Sequence, residues 1–347
     1  MNGIIGMTDI LLDTELDLEQ REFAERVRSA AESLLTILND ILDFSKMEAG
    51  RMVLEERPFE IRTCFEDAID LVAARAEEKG LMLACVIPGE VPRTAVGDSG
   101  RIRQIILNLL ANAVKFTEAG EIVVSVSSEF VEGGFLMLRC EVRDSGVGIP
   151  QEESARLFEQ FSQIGRTDSS GFGGTGLGLA IVRRLVDQMG GAVEVTSKVG
   201  EGSIFSFTVR IGQGSSSEKE VANFHGGSVI VLDSHEATRR QLQEQVGYVG
   251  LECLAFPEPR SALTSLGQTG RMDLCALLVS EEFSSTDYQS DLKRLRAAGG
   301  GVPVIQLASV GTRSPTPGQS ADLPVLYRPI RFSHLRDRLL ALADPPA

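Results

Sequence analysis

Histidine is scarce in this chain: the 347 residues hold only His225, His235 and His334, so any histidine chemistry must use one of these three or come from elsewhere. Cysteine is sparse too. Cys64, Cys85, Cys140, Cys253 and Cys275 form an odd set without CxxC spacing, which disfavours a disulfide framework and a zinc site and fits reduced core thiols. No apolar run approaches the ~18 residues of a membrane span, and no signal-peptide pattern is present, so a cytoplasmic location is expected. Positive charge is short, with 34 Lys and Arg against 49 Asp and Glu and a formal net charge of −15. That balance argues against direct nucleic-acid binding. The length suffices for two or three domains with full cores.

Glycine, by contrast, is clustered. Gly173-Gly-Thr-Gly-Leu-Gly178 is one glycine-rich turn, and Asp144-Ser-Gly-Val-Gly148 lies upstream of it. Glycine lets backbone N–H groups approach a ligand closely, and a helix starting near Leu177 would aim its positive end at phosphate oxygens. No Gly-Lys-Ser/Thr follows, so this is not a Walker loop. Between Arg101 and Thr117 the apolar residues Ile105, Leu109 and Ala113 recur at helical spacing, which puts Asn108 and Asn112 on a shared face with Lys115 close by. Two carboxamides and an ammonium there offer oxygen to a hydrated Mg²⁺ and charge to phosphate; a solvated polar face is the plainer reading of the asparagines alone.

Together these segments resemble the ATP-binding domain of sensor histidine kinases, in the superfamily shared with gyrase, the mismatch-repair ATPase and the ninety-kilodalton heat-shock chaperone. Asn108 to Lys115 is similar to the family's asparagine box, Asp144 to Gly148 to its first glycine box, Leu157-Phe-Glu-Gln-Phe161 to its phenylalanine box, and Gly174 to Gly178 to its second glycine box. The resemblance implies Asn112 as the Mg²⁺ ligand, Asp144 as acceptor from the adenine amino group, and Gly146 and Gly148 as shapers of the adenine pocket. It also implies Lys115 near the phosphates, and Gly174, Thr175, Gly176, Leu177 and Gly178 at the hinge of a lid over ATP, with residues 162–173 as the lid. An acceptor fixed beside an apolar slot would itself select adenine, because guanine carries a carbonyl at that position.

Alternating strands at Glu121–Ser127, Phe135–Arg143 and Ser203–Arg210, with helices expected at 60–78, 98–116, 151–160 and 177–190, predict an α/β sandwich of mixed sheet under one helical layer. Phe158 and Phe161 read as core residues. Ahead of it, residues 17–50 repeat apolar side chains at three and four (Phe23, Val27, Leu34, Leu38, Ile41) and need partner helices. This segment resembles the second helix of the family's dimerisation and phosphotransfer domain, which implies a homodimeric four-helix bundle. Residues 1–12 resemble the stretch just after the His-Glu-Ile-Arg-Thr-Pro acceptor motif, so the phosphoacceptor histidine is expected before Met1 or on a partner.

Residues 212–227 are a Gly/Ser-bearing hydrophilic break that reads as a linker. Beyond it, strands at Ser228–Asp233, Leu274–Val279 and Val302–Leu307 alternate with helices at 236–246, 287–298 and 332–342, which predicts a doubly wound α/β domain over 228–343. It resembles a response-regulator receiver with degenerate chemistry: Asp233 is followed by Ser234, no Asp ends the third strand, and Arg328-Pro329 stands where Lys-Pro is usual. Ser309 alone fits, and Glu281 and Glu282 sit out of register for an acyl phosphate. This is the pattern of a pseudo-receiver. Tyr327, Arg328 and Arg331 form its expected regulatory surface, suited to a cyclic dinucleotide such as cyclic di-GMP, unless the arginines form surface ion pairs.

The resulting division is 1–56 helical hairpin, 57–211 ATP-binding domain, 212–227 linker and 228–343 pseudo-receiver. The function expected is a two-component histidine kinase using ATP and Mg²⁺, paired with a response regulator or a full-length kinase. The alternatives are a catalytically incomplete, ATP-binding scaffold or inhibitor of full-length kinases, and a plain ATPase of the same superfamily.

Overall fold

The structure, a computed structural model, describes residues 1–154, 156–160, 162, 176–214, 224, 226–269, 273–285, 287–309 and 324–343. Helices α1 (Asn2–Leu12) and α2 (Leu18–Glu48) form the N-terminal hairpin. The start of α2 is fixed by a capping box, in which Asp17 accepts from the Gln20 amide at 2.8 Å and the Gln20 side chain accepts from the Asp17 amide at 3.2 Å. Along α2, Ala24 and Ala31 are buried while Phe23, Val27, Leu34, Leu38, Ile41 and Leu42 stay exposed.

The central domain runs β1 (Arg57–Glu60), α3 (Ile61–Glu78), β2 (Met82–Val86), β3 (Thr94–Gly97), α4 (Ser99–Phe116), β4 (Glu121–Val131), β5 (Phe135–Asp144), α5 (Gln151–Ser154), α6 (Gly178–Gln188), β6 (Val193–Lys198) and β7 (Gly202–Gln213). Its sheet has the order β1-β3-β7-β5-β4-β2, with β6 added on β7, and is mixed because β2 pairs with β4 in parallel. The apolar stripes of α3 (Phe65, Ile69), α4 (Ile102, Ile105, Leu109) and α6 (Ile181, Leu185) meet the inward residues Leu136, Leu138 and Phe207 in one buried cluster. Each such fully buried side chain contributes roughly 1.5–3 kcal/mol. Asp98 starts α4: one carboxylate oxygen accepts from the Arg101 amide and the other from the Glu55 amide, each at 3.0 Å, which ties the hairpin's exit to the helix.

Two expectations change here. The helix expected over 151–160 is only the single turn of α5; Leu157 is buried and Phe158 half-buried against the core, reached by turns, and Phe161 lies outside the described residues. Strand β7 also runs two residues into the expected linker, with Gly212 and Gln213 pairing to Val96 and Ala95 of β3.

The C-terminal domain runs β8 (Ser228–Leu232), α7 (Glu236–Tyr248), β9 (Glu252–Phe256), α8 (Pro259–Thr269), β10 (Leu274–Ser280), a 3₁₀ turn (Glu281–Ser284), α9 (Gln289–Ala298), β11 (Val304–Ala308), β12 (Val325–Tyr327) and α10 (Phe332–Ala343). Its five strands are all parallel in the order β12-β11-β10-β8-β9, so the first strand lies between the second and third. That is a doubly wound order with its switch point beside the first strand. Separate apolar clusters cover its two faces, one around Val229, Leu242 and Leu335, the other around Ile230, Phe283 and Leu295.

The three parts touch. Asp43 of α2 accepts from Arg101 at 2.8 Å and Gln104 at 3.0 Å, and Glu48 pairs with Arg184 of α6 at 3.1 Å. On the other side, α7 lies along β2, the free edge of the central sheet. Gln241 accepts from the Cys85 amide at 3.1 Å and donates to the Ile330 carbonyl at 2.7 Å, while Ala237 packs among Ala84, Val86 and Val123. An edge strand's open amide is thus satisfied by a side chain of the C-terminal domain.

Candidate functional site

The wall of the site starts at the end of β5. Asp144 is buried, and its carboxylate accepts from the Gly146 amide at 2.9 Å and from the Ser203 amide. Burial holds its pKa above the ordinary 3.8 despite those two donors. Two positions of the turn that follows have no room for side chains. A Cβ on Gly146 would stand 2.5 Å from the Phe116 carbonyl oxygen, and one on Gly148, whose φ is +71°, would stand 2.1 Å from the Lys198 carbonyl oxygen. Gly148→Ala is therefore expected to cost about 2–4 kcal/mol and to lose nucleotide binding. Gly178→Ala, where the nearest atom is Asn108 Oδ1 at 3.7 Å, should fold like the parent. Thermal melts of the two variants check this contrast.

Helix α4 supplies the facing wall. Asn108 and Asn112 are half-buried one turn apart, and Lys115 is exposed in the last turn beside the Phe116 ring, 5.0 Å from its centroid. The Asn108 amide donates to the Gly178 carbonyl at 3.4 Å, so it ties α4 to the first turn of α6. Among the described residues Asn112 is not drawn into such a bond, which leaves it the candidate carboxamide for a ligand. Gly176 has φ +69° and Leu177 is buried at the start of α6; Gly174 and Thr175, with residues 163–173, lie outside the described residues. The Thr117 hydroxyl, next to Phe116, is fully buried and has no hydrogen-bond partner among the described residues. A buried acceptor at the end of β5 and the half-buried carboxamide of Asn112 on α4 fit an adenine nucleotide with its metal.

Two residues escaped the sequence reading. A Cβ on Gly202, with φ +94°, would meet the Asp144 carbonyl oxygen at 2.0 Å, so β7 can close on β5 here only without a side chain. Lys79 donates to three carbonyls at the end of α4. Neither carries a local motif; each is defined by a partner distant in sequence.

In the C-terminal domain the structure corrects the expected regulatory surface. Arg328 turns inward: it pairs with the fully buried Asp233 and donates to Ser280 Oγ at 3.2 Å. Arg331 instead pairs across the domain boundary with Asp67 and, at 2.6 Å, with Asp70 of α3, while Tyr327 is exposed. The three do not form one surface, because the buried carboxylate of Asp233 claims Arg328. Around it, Glu282 accepts from the Ser234 amide at 2.9 Å and hydroxyl at 2.8 Å, and Glu281 from the Ser309 hydroxyl at 3.1 Å. Asp233, His235 and Glu282 have ligand atoms within 4.8 Å of one another. Arg328 already brings the positive charge a cation would supply there. Asp233 holds the His235 pKa above its ordinary value.

Fold and site together define a nucleotide-binding domain of the class shared by histidine kinases, gyrase B and the heat-shock chaperone. The family described as histidine kinase-, DNA gyrase B- and HSP90-like ATPase matches residues 97–213, and the histidine kinase A phospho-acceptor domain matches residues 1–50. The sensor histidine kinase GacS of Pseudomonas protegens is 39% identical over 272 residues, 78% of this chain and 29% of that one. The signal transduction histidine-protein kinase BarA of Escherichia coli K12 is 41% identical over 211 residues, 61% of this chain and 23% of that one. Among solved structures, full-length ShkA in complex with AMPPNP superposes with a TM-score of 0.74 at 29% identity, covering 100% of this chain and 70% of that one. The chain belongs to the histidine-kinase family of two-component signalling proteins, and it spans less than a third of the length of these curated relatives. No helix among the described residues is long and apolar enough to cross a membrane.

Proposed function

We propose that the chain is the catalytic part of a hybrid sensor histidine kinase, binding Mg-ATP and passing its γ-phosphoryl group to a histidine nitrogen in a phosphorelay. The observation that carries this reading is the Asp144 carboxylate, buried and fixed by two backbone amides at the start of a turn whose Gly146 and Gly148 leave no room for a Cβ. Asp144 accepts from the adenine amino group, Gly146 and Gly148 shape the adenine pocket by letting the turn close on the Phe116 and Lys198 carbonyls, and Asn112 offers its carboxamide oxygen to Mg²⁺. Asn108 holds α4 to the second glycine turn, and Lys115 meets phosphate oxygens. Gly176, Leu177 and Gly178, at the start of α6, meet the nucleotide from the second glycine turn. Magnesium, when bound, neutralises charge on the phosphate oxygens.

The hairpin serves dimerisation. Phe23, Val27, Leu34, Leu38, Ile41 and Leu42 make an exposed apolar stripe at helical spacing, the kind of surface a second hairpin covers in a four-helix bundle. None of the three histidines lies on it, so the acceptor is supplied from outside residues 1–347. The γ-phosphorus bond to the ADP oxygen breaks as a bond to that nitrogen forms, with a response regulator as the next acceptor. Incubation with labelled ATP should leave this chain unlabelled, and extending it at Met1 by a helix bearing His-Glu-Ile-Arg-Thr-Pro should give acid-labile label. Label on His225, His235 or His334 would overturn the reading. An extended chain that binds ATP and stays unlabelled would favour the scaffold alternative.

The C-terminal domain is a pseudo-receiver that controls the kinase by docking. Its doubly wound order supports the assignment, and Ser280 at the end of the third strand offers no carboxylate for phosphorylation. A cyclic dinucleotide such as cyclic di-GMP remains the proposed ligand, now restricted to Tyr327 for stacking and Arg331 for hydrogen bonding. Because Arg331 is engaged by Asp67 and Asp70, the ligand competes with docking, by no more than its differential affinity for the two states.

A further inference from the structure

Helix α4 ends where the site begins. The last four carbonyls of any α-helix lack an intrahelical donor, and here the chain leaves the helix sharply, with Thr117 in extended geometry at φ −105° and ψ 121°. The carbonyls of this turn are taken by Lys79, the residue that ends α3. Its ammonium donates to Val114 O at 2.8 Å, Lys115 O at 3.2 Å and Thr117 O at 3.2 Å, and it stands 3.7 Å from the Glu118 carboxylate. The side chain is held for this by the chain reversal that follows. Gly80 has φ +66°, the Gly80 amide bonds the Glu77 carbonyl at 2.8 Å, and the Leu81 amide bonds the Ala76 carbonyl at 2.8 Å. On the opposite side, the Phe116 carbonyl oxygen faces Gly146, and the Val147 amide reaches it at 3.4 Å. The end of α4 is thus gripped between an ammonium and the turn that carries the adenine wall.

We infer that Lys79 is a positioning residue for the metal and phosphate side of the nucleotide site. It fixes the last turn of α4, and with it Asn112 and Lys115, at one height relative to Asp144. An ammonium at a helix C-terminus also complements the partial negative charge gathered there. Asp144 has independent support, because its strand is paired along its whole length with β4 and β7. Loss of Lys79 therefore acts on one half of the site. This rests on the reading of the site as an Mg-ATP pocket.

The test uses the full chain with Lys79→Met and Lys79→Arg, titrated with adenosine and with ATP, each with and without Mg²⁺, at a temperature where circular dichroism shows all three proteins folded. Lys79→Met should lose about 10-fold or more in Mg-ATP affinity, as orienting groups behind metal ligands typically do, while adenosine affinity changes by less than about twofold, since strand-held Asp144 keeps its own donors. Lys79→Arg, which can still donate to several carbonyls, should bind close to the parent. Unchanged Mg-ATP affinity in Lys79→Met, or an equal loss for adenosine and Mg-ATP, overturns the inference. Should Lys79→Met not fold, Lys79→Gln keeps a donor and should show a graded loss confined to Mg-ATP, and no loss there is equally fatal. A parent that binds no Mg-ATP at all fails the pocket reading itself.

Discussion

Asparagine in place of Asp144 should remove most ATP affinity while leaving the protein at least as stable at neutral pH. The two effects have one cause. The carboxylate is buried, which raises its pKa above 3.8, so the folded state bears a cost whenever the group is ionised. A raised carboxyl pKa contributes stability that is fully present below the unfolded value and is lost as pH rises through the folded value. The stability of the parent relative to Asp144→Asn should therefore fall as pH rises from below 3.8 toward neutrality. Binding runs the other way. The Gly146 and Ser203 amides will hold the carbonyl oxygen of an asparagine, turning its NH₂ toward the adenine amino group, donor against donor. An unpaired buried polar group costs about 1–3 kcal/mol, or roughly 5- to 150-fold in affinity. Guanine presents a carbonyl at that position, so the ATP-over-GTP preference should shrink or reverse. In the parent, ATP affinity should fall on acidification at a higher pH than an ordinary carboxylate would give. Calorimetric titrations with ATP and GTP across pH check both, and an unchanged ATP-to-GTP ratio in the variant would remove Asp144 from its role.

Most of this site is legible in the sequence because its parts are local. Gly146 and Gly148 follow Asp144 within one turn, and Asn108, Asn112 and Lys115 share one helix whose apolar stripe is unbroken. Lys79 and Gly202 were not legible, since each is defined by backbone that folds against it from far along the chain: the end of α4 for one, the Asp144 carbonyl for the other. Short edge strands such as β1 and β12 leave no periodicity to read. Helix α8 did leave a signal, because Pro259 opens it at the position where proline's missing N–H costs nothing. The sharpest divergence is at Arg328 and Arg331. They are three residues apart with the same charge, and only the positions of Asp233 on β8 and of Asp67 and Asp70 on α3 send one inward and the other across a domain boundary.

That boundary yields the second large effect. Arg331→Glu should release the C-terminal domain from the central domain, because it replaces two ion pairs with like charges facing Asp67 and Asp70 beside the buried Glu66. The pairs are partly exposed, so each contributes up to about 1 kcal/mol, but reversal adds repulsion and the docked population should fall by about 10-fold or more. Other contacts across the boundary resist it. Glu66 accepts from the Phe332 amide at 3.0 Å, the Arg62 guanidinium lies 5.0 Å from the Phe332 ring centroid and 5.5 Å from that of Tyr248, and Gln241 holds the Cys85 amide. Docking is intramolecular, so these weak contacts act at high effective concentration and the equilibrium can be poised. The Cys85 amide reports on it directly: on an edge strand it has Gln241 as its acceptor, and its hydrogen exchange should accelerate when α7 leaves. Asp67→Arg with Asp70→Arg should restore protection to Arg331→Glu, and raised salt should mimic the single reversal in the parent. In a chain extended by the acceptor helix, Arg331→Glu should phosphorylate faster than the parent, as should a version ending at Gly214, just past β7. Faster Cys85 exchange with no change in rate would separate docking from control and end the inhibitory role. Unchanged exchange would mean that Arg331 does not hold the boundary at all.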